Sequence, residues 1–208
     1  MKDEKKQIGK FNCRVISGTG EGPTLVFLHG FMFTGEIWNQ IGLFPALEEK
    51  RIPFTAVDMP YGHHSECEPA SSDPEDNITV VSQIAGDRDI VVGASIGGNI
   101  ALRYAVDHPV RGLILIAPVR TLQDDLVKKY DELNVPVLII YGENDNVVPK
   151  NEMEALSGRL NASLRIYDGA GHPAYKDLPE RFNTDIISFC EKNRKRSQDT
   201  ASDLFPGT

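Results

Sequence analysis

The chain has 208 residues, of which 40% are hydrophobic and 25% charged, and it carries a formal net charge of -8. That length suits one sizeable core and is short for two, and the acidic balance argues against a nucleic-acid partner, because phosphate contacts need a concentrated positive surface. The charged start, Met1 to Lys6, lacks the apolar segment of a signal peptide, and no later run approaches membrane-spanning length, so no membrane partner is expected either.

Short apolar runs alternate with amphipathic stretches nearly throughout, which is the pattern of an α/β fold: a mostly parallel, twisted sheet of about seven strands with helices on both faces. In chain order, residues 11–16 alternate polar and apolar positions and read as a half-exposed edge strand, followed by a strand over 24–28. A helix begins near Glu36 with Ile37, Trp38, Ile41 and Phe44 on its apolar side, and Pro45 is expected to kink or end it. A strand over 54–58 leads into a long irregular stretch, 59–72, rich in proline, serine and charge and placed to overhang a site. Asp73 and Pro74 open a helix that carries Ile78, Val81 and Ile84 and stops at Gly86.

Strands over 89–94, 112–117, 135–141 and 163–167 complete the sheet. Ile100, Ala101, Tyr104 and Ala105 mark a helix after the first of these. Between 117 and 135 there is room for little more than one helix, with Leu122, Leu126, Tyr130 and Leu133 as its apolar positions, so no separate lid domain is expected. The last helix presents Phe182, Ile186, Phe189 and Cys190 on one face. The basic residues from Lys192 to Arg196 follow it as cations at a helix C-terminus. Residues 1–192 thus form one domain, and 193–208 are expected to be a flexible tail.

The most informative motif is Gly93-Ala94-Ser95-Ile96-Gly97, between an apolar strand and an amphipathic helix. A serine on so sharp a turn projects its oxygen clear of the backbone, while the glycines leave room for the turn itself and for close packing of the helix on the sheet. Ser95 is therefore a candidate nucleophile. A serine hydroxyl needs a base, usually a histidine oriented by a buried carboxylate. His172 sits in a glycine-rich loop after the last strand, at the strand ends where the catalytic groups of open parallel sheets gather.

Asp145, in the loop after 135–141, emerges at the same sheet edge and is the expected orienting acid. Glu143 competes with it but reaches less far toward His172. The turn at His29-Gly30-Phe31 follows the strand over 24–28, and its Phe31 amide can join the Ile96 amide as donors to an oxyanion. His29 is expected to shape that turn. Met32 and Phe33, beside it, are the expected substrate-pocket wall. His108 reads as a helix-terminating residue. His63 and His64 lie near Asp58, Glu66, Cys67 and Glu68, but adjacent histidines do not easily share one ion, so neither metal nor cofactor is expected. Cys13, Cys67 and Cys190 show no zinc-ligand spacing and read as scattered, reduced thiols of a cytoplasmic protein.

Taken together, the His29-Gly30 turn, the Ser95 elbow, the acid after 135–141 and His172 resemble the α/β-hydrolase superfamily, in the order serine, acid, histidine that it uses. The segment from Asp58 to Ser65 is similar to its aspartate-x-x-glycine-x-glycine-x-serine loop, with His64 where glycine is usual. The resemblance spans roughly residues 24–190 and implies cofactor-free hydrolysis of an ester, thioester or amide. The expectation is a small, lidless carboxylesterase acting on a small-molecule ester of short to medium acyl length. A thioesterase or peptidase with the same triad, or a non-catalytic receptor on a hydrolase scaffold, are the alternatives.

Overall fold

In the computed structural model, which describes residues 1–203 (without the side chains of Asp124 and 195–203), eight strands form one sheet in the order β1-β2-β4-β3-β5-β6-β7-β8. These are β1 (Lys2–Ile8), β2 (Phe11–Gly18), β3 (Leu25–Leu28), β4 (Phe54–Val57), β5 (Ile90–Ala94), β6 (Gly112–Ile116), β7 (Val137–Gly142) and β8 (Ser163–Tyr167). Pairing is antiparallel from β1 to β2 and from β2 to β4, and parallel across the rest. The parallel strands therefore all end at one edge of the sheet.

Alternation of side chains along each strand divides the core in two. On one face Phe27, Val92, Ile114 and Ile140 pack under α1 (Ile37–Gln40), α2 (Leu43–Glu49), α7 (Ala174–Asp177) and α8 (Pro179–Asp203). On the other, Val26, Val91, Leu115 and Ile139 pack under α3 (Pro74–Ser82), α4 (Ile96–Asp107), α5 (Asp124–Val127) and α6 (Lys150–Arg159). Trp38 joins four elements at once: its ring centroid lies 5.2 Å from Phe27, 5.0 Å from Tyr175 and 5.9 Å from Phe182.

The structure departs from the sequence-based expectations at five places. The outer strand is β1, not β2; apart from Ile8 its residues are exposed, so no apolar alternation announces it, and it is held by its ladder to β2 and by surface pairs such as Asp3–Arg14. The break after Trp38 falls at Gly42, whose φ of 75° ends α1, while Pro45 lies in the first turn of α2, where its missing N–H costs nothing. The stretch between β6 and β7 holds two short pieces, α5 and a 3-10 turn at Tyr130–Glu132, in place of one helix. The final helix α8 takes in residues 193–203, which the polarity of the stretch had assigned to a tail; these residues include no glycine or proline to stop a helix. Residues 204–208 lie outside the described residues.

The fifth departure concerns the cysteines. Asn12 and Glu68 exchange backbone hydrogen bonds of 2.7 and 3.1 Å, which brings Cys13 and Cys67 side by side, and the two form a disulfide. The thiols are thus not all reduced, and the cysteine content no longer argues for a cytoplasmic location. Cys190 is free and buried. No helix among the described residues is long and apolar enough to cross a membrane.

Candidate active site

Ser95 stands between β5 and α4 with φ 53° and ψ -115°, a backbone conformation strained for any residue with a Cβ. Its own amide donates to Ile116 O at 2.8 Å, which ties the turn to the end of β6. Two glycines make the turn possible. A Cβ on Gly93 would lie 2.3 Å from Gly97 O, and one on Gly97 would lie 2.6 Å from His29 O. Either addition would push α4 off the sheet.

His172, on the loop between β8 and α7, reaches over the strand ends to Ser95. Its Nε2 is 2.9 Å from Ser95 Oγ and its Nδ1 is 2.7 Å from Asp145 Oδ2. A carboxylate only accepts, so Nδ1 carries the proton and Nε2 is left to accept from the serine hydroxyl. The Asp145 side chain is fully buried, and its other oxygen accepts from the amides of Val147 at 2.7 Å and Val148 at 3.0 Å. One carboxylate therefore folds the loop after β7 and orients the imidazole. Glu143 points elsewhere, accepting from the Gly169 amide at 2.9 Å.

The turn after β3 brings Gly30 against the elbow: a Cβ built there would lie 3.8 Å from that of Ser95. Among the described residues the Phe31 amide donates to no protein acceptor. Nor does the Ile96 amide, which as the first of α4 has no intrahelical acceptor. Both are thus unengaged beside the serine. The turn is held from beneath by His29, which is fully buried. Its Nδ1–H donates to Gly30 O at 2.8 Å and its Nε2 accepts from the Met59 amide at 2.9 Å. Burial pushes its pKa down, so it stays neutral in that tautomer.

Tyr61 was not anticipated as part of this support. Its hydroxyl donates to His29 O, and burial raises its pKa well above the usual value, which keeps the proton in place. Asp58, equally buried, accepts from the amides of Gly35 and Glu66 at 2.6 and 3.0 Å and so shapes both flanking loops. The signal for both lay in the segment from Asp58 to Ser65. His63 and His64 are exposed; the His63 amide donates to Phe31 O at 2.8 Å and its ring centroid lies 5.8 Å from that of Phe31. His108 stacks on Tyr104 at the end of α4. No group of three or more His, Cys, Asp or Glu side chains is placed to hold a metal ion among the described residues.

Ser95 separates two cavities. The smaller, about 120 Å³, is lined by Phe31, Met32, Phe33, Ile116, His172 and Tyr175 among others. The larger, about 670 Å³, lies between Tyr61, Ser72, Ile96, Arg120, Val147 and Glu152. Met32 and Phe33 line the smaller cavity, whereas Arg120 from a loop and Glu152 from α6, which line the larger, were not foreseen, since no periodic pattern marks residues that meet only across a cleft.

Family models match the chain twice, as an α/β-hydrolase family over residues 25–128 and as a serine hydrolase (FSH1) over residues 89–173. A pimeloyl-[acyl-carrier protein] methyl ester esterase from Nitrosomonas europaea is 34% identical, across 80% of this chain and 95% of that one. ABHD14B of Homo sapiens, whose name carries a proposed protein-lysine deacylase activity, is 28% identical over 191 residues, 87% of this chain and 90% of that one. The crystal structure of a predicted CIB-like hydrolase from Thermoplasma acidophilum superposes with a TM-score of 0.80 at 22% identity, covering 90% of this chain and 96% of that chain. The elbow, the order of the residues that meet at it, the parallel sheet and these similarities agree, and the chain belongs to the α/β-hydrolase family.

Proposed function

We propose that the protein is a serine hydrolase that cleaves carboxylic esters of short to medium acyl length through an acyl-enzyme intermediate. The observation that carries this reading is the hydrogen-bonded chain from Asp145 through His172 to Ser95 at the tip of the strained turn. Ser95 Oγ bonds to the ester carbonyl carbon while its proton passes to His172 Nε2. The Phe31 and Ile96 amides meet the negative charge on the carbonyl oxygen. As the carbonyl re-forms, the bond to the alkoxy group breaks and His172 returns the proton to the departing alcohol. Water then repeats the sequence: it gives a proton to His172, attacks the acyl-serine, and releases the carboxylic acid as Ser95 recovers its proton.

The test is labelling by a fluorophosphonate probe, which captures only activated serines. Wild-type protein is expected to be labelled once, at Ser95, and Ser95→Ala to lose both labelling and ester turnover. Labelling that persists in a folded Ser95→Ala protein overturns the assignment. A second reading, removal of acyl groups from lysine side chains, draws its support from the likeness to the ABHD14 relatives. It uses the same residues, with an amine in place of the alcohol. Comparing kcat/KM for matched acetyl esters and acetyl-lysine peptides separates the two.

A further inference from the structure

Arg120 stands out in the wall of the larger cavity. Arg14 pairs with Asp3, Arg103 with Asp125, and Arg111 donates to Asn193 O. The Arg120 guanidinium engages no carboxylate and no carbonyl among the described residues. Glu152 shares the same wall without forming an ion pair to it, and lies in the first turn of α6, where a carboxylate faces the positive end of the helix. An exposed arginine without an ion pair thus lines the cleft that opens on Ser95, in a chain whose net charge is -8.

The backbone beneath Arg120 is fixed. Arg120 has φ 56°, a left-handed conformation that a long side chain rarely takes, and Ala117 just before it has φ 40°. The Ser95 carbonyl accepts from the Val119 amide at 3.3 Å, and Asn99 Nδ2 donates to the carbonyls of Val119 at 3.0 Å and Arg120 at 3.1 Å. Tyr130 donates to the Thr121 carbonyl next in sequence. The nucleophile turn and the backbone of Arg120 are thereby joined through one short span, so the fold sets where the arginine side chain starts, and its exposed guanidinium reaches out from that fixed base. A planar guanidinium recognises a carboxylate or phosphate through paired N–H bonds, which a neutral group of the same shape does not reproduce.

We infer that the part of the substrate occupying the larger cavity carries an anionic group, carboxylate or phosphate, which Arg120 binds while Ser95 attacks the ester. The inference rests on the hydrolase reading above and narrows its substrate class to anionic esters.

The experiment compares charged and neutral partners of equal shape: 4-acetoxybutanoate against 4-acetoxybutanamide, and monomethyl glutarate against methyl 4-carbamoylbutanoate, with 2-acetoxyethyl phosphate as the phosphate arm. The first pair places the anion on the alcohol side and the second on the acyl side. For at least one charged substrate, kcat/KM is expected to exceed that of its neutral partner by about ten- to a hundredfold, the range of a charge-assisted hydrogen bond. Arg120→Gln is expected to erase the difference while leaving turnover of the neutral ester within a few-fold, and Arg120→Lys to restore part of it. The carboxylate and phosphate arms rank the two anions.

Binding to the Ser95→Ala protein by calorimetry gives a readout free of turnover. Tighter binding of the charged ester that disappears in Ser95→Ala/Arg120→Gln supports the inference even if no ester is hydrolysed, in which case the hydrolase reading fails alone. Equal binding and equal kcat/KM for charged and neutral partners, or a preference that survives Arg120→Gln, overturns it.

Discussion

At the scale of single residues, Asp145 carries two duties that a substitution can separate. One oxygen accepts from the Val147 and Val148 amides and the other from His172 Nδ1. In Asp145→Asn the amide oxygen can keep the first duty, leaving an NH2 group facing Nδ1. The imidazole must then take the opposite tautomer, with its proton on Nε2, where it can no longer accept from Ser95. The loop should therefore hold its shape while ester turnover falls by about a thousandfold or more. Glu143→Gln, which alters a side chain whose hydrogen bond among the described residues is to the Gly169 amide, should change turnover by no more than a few-fold. The reverse outcome, an inactive Glu143→Gln beside an active Asp145→Asn, would mean that the acid has been misassigned.

Between elements, the coupling that matters most passes through His29, which links the end of β3 to the loop after β4. Both ring nitrogens are used in the neutral form, one donating to Gly30 O and one accepting from the Met59 amide. Burial lowers the folded-state pKa below the ordinary 6.5, so the unfolded chain binds the proton more readily than the folded one. The contribution to stability is accordingly complete above pH 6.5 and is lost as pH falls below it. His29→Asn, followed by urea unfolding, should cost about 1–3 kcal/mol at pH 7.5 through unsatisfied buried groups. That cost should shrink toward pH 5, and a cost independent of pH would show that His29 is not held neutral.

The same scale explains what was legible beforehand. β3, β5, β6 and β7 are buried on both faces and read as continuous apolar runs, and the elbow is written in three glycines and a serine within a few positions. Ser95, His172 and Asp145 could be nominated because each follows a strand that ends at one edge. β1 could not be read, since its stability comes from backbone pairing and not from apolar side chains. The Cys13–Cys67 bridge and Arg120 were hidden for a related reason: both depend on contacts between segments far apart in sequence, 54 residues in the case of the disulfide.

For the whole molecule, the absence of any inserted domain between β6 and β7 leaves the stretch from Met59 to Ser72 as the segment with the length to cover the site. That stretch is not free to close. Its backbone is tied to Asn12 through Glu68, to Cys13 through the disulfide, to His29 through Met59, and to the start of α3 through Ser71, which donates to Asp76 at 2.7 Å. It contributes Tyr61 and Ser72 to the cavity wall from a fixed position. An acyl chain therefore gains enclosure only within the cavities already present. Each methylene buried there adds up to about 0.8 kcal/mol, roughly fourfold in kcat/KM. Past the rim, a further methylene stays in water and adds nothing. Across p-nitrophenyl esters from acetate to laurate, measured below micelle formation, kcat/KM should rise over the first few carbons and then level or fall. A steady rise through the long chains would require protein to fold over them, and would show that the ties holding the 59–72 stretch give way when substrate binds.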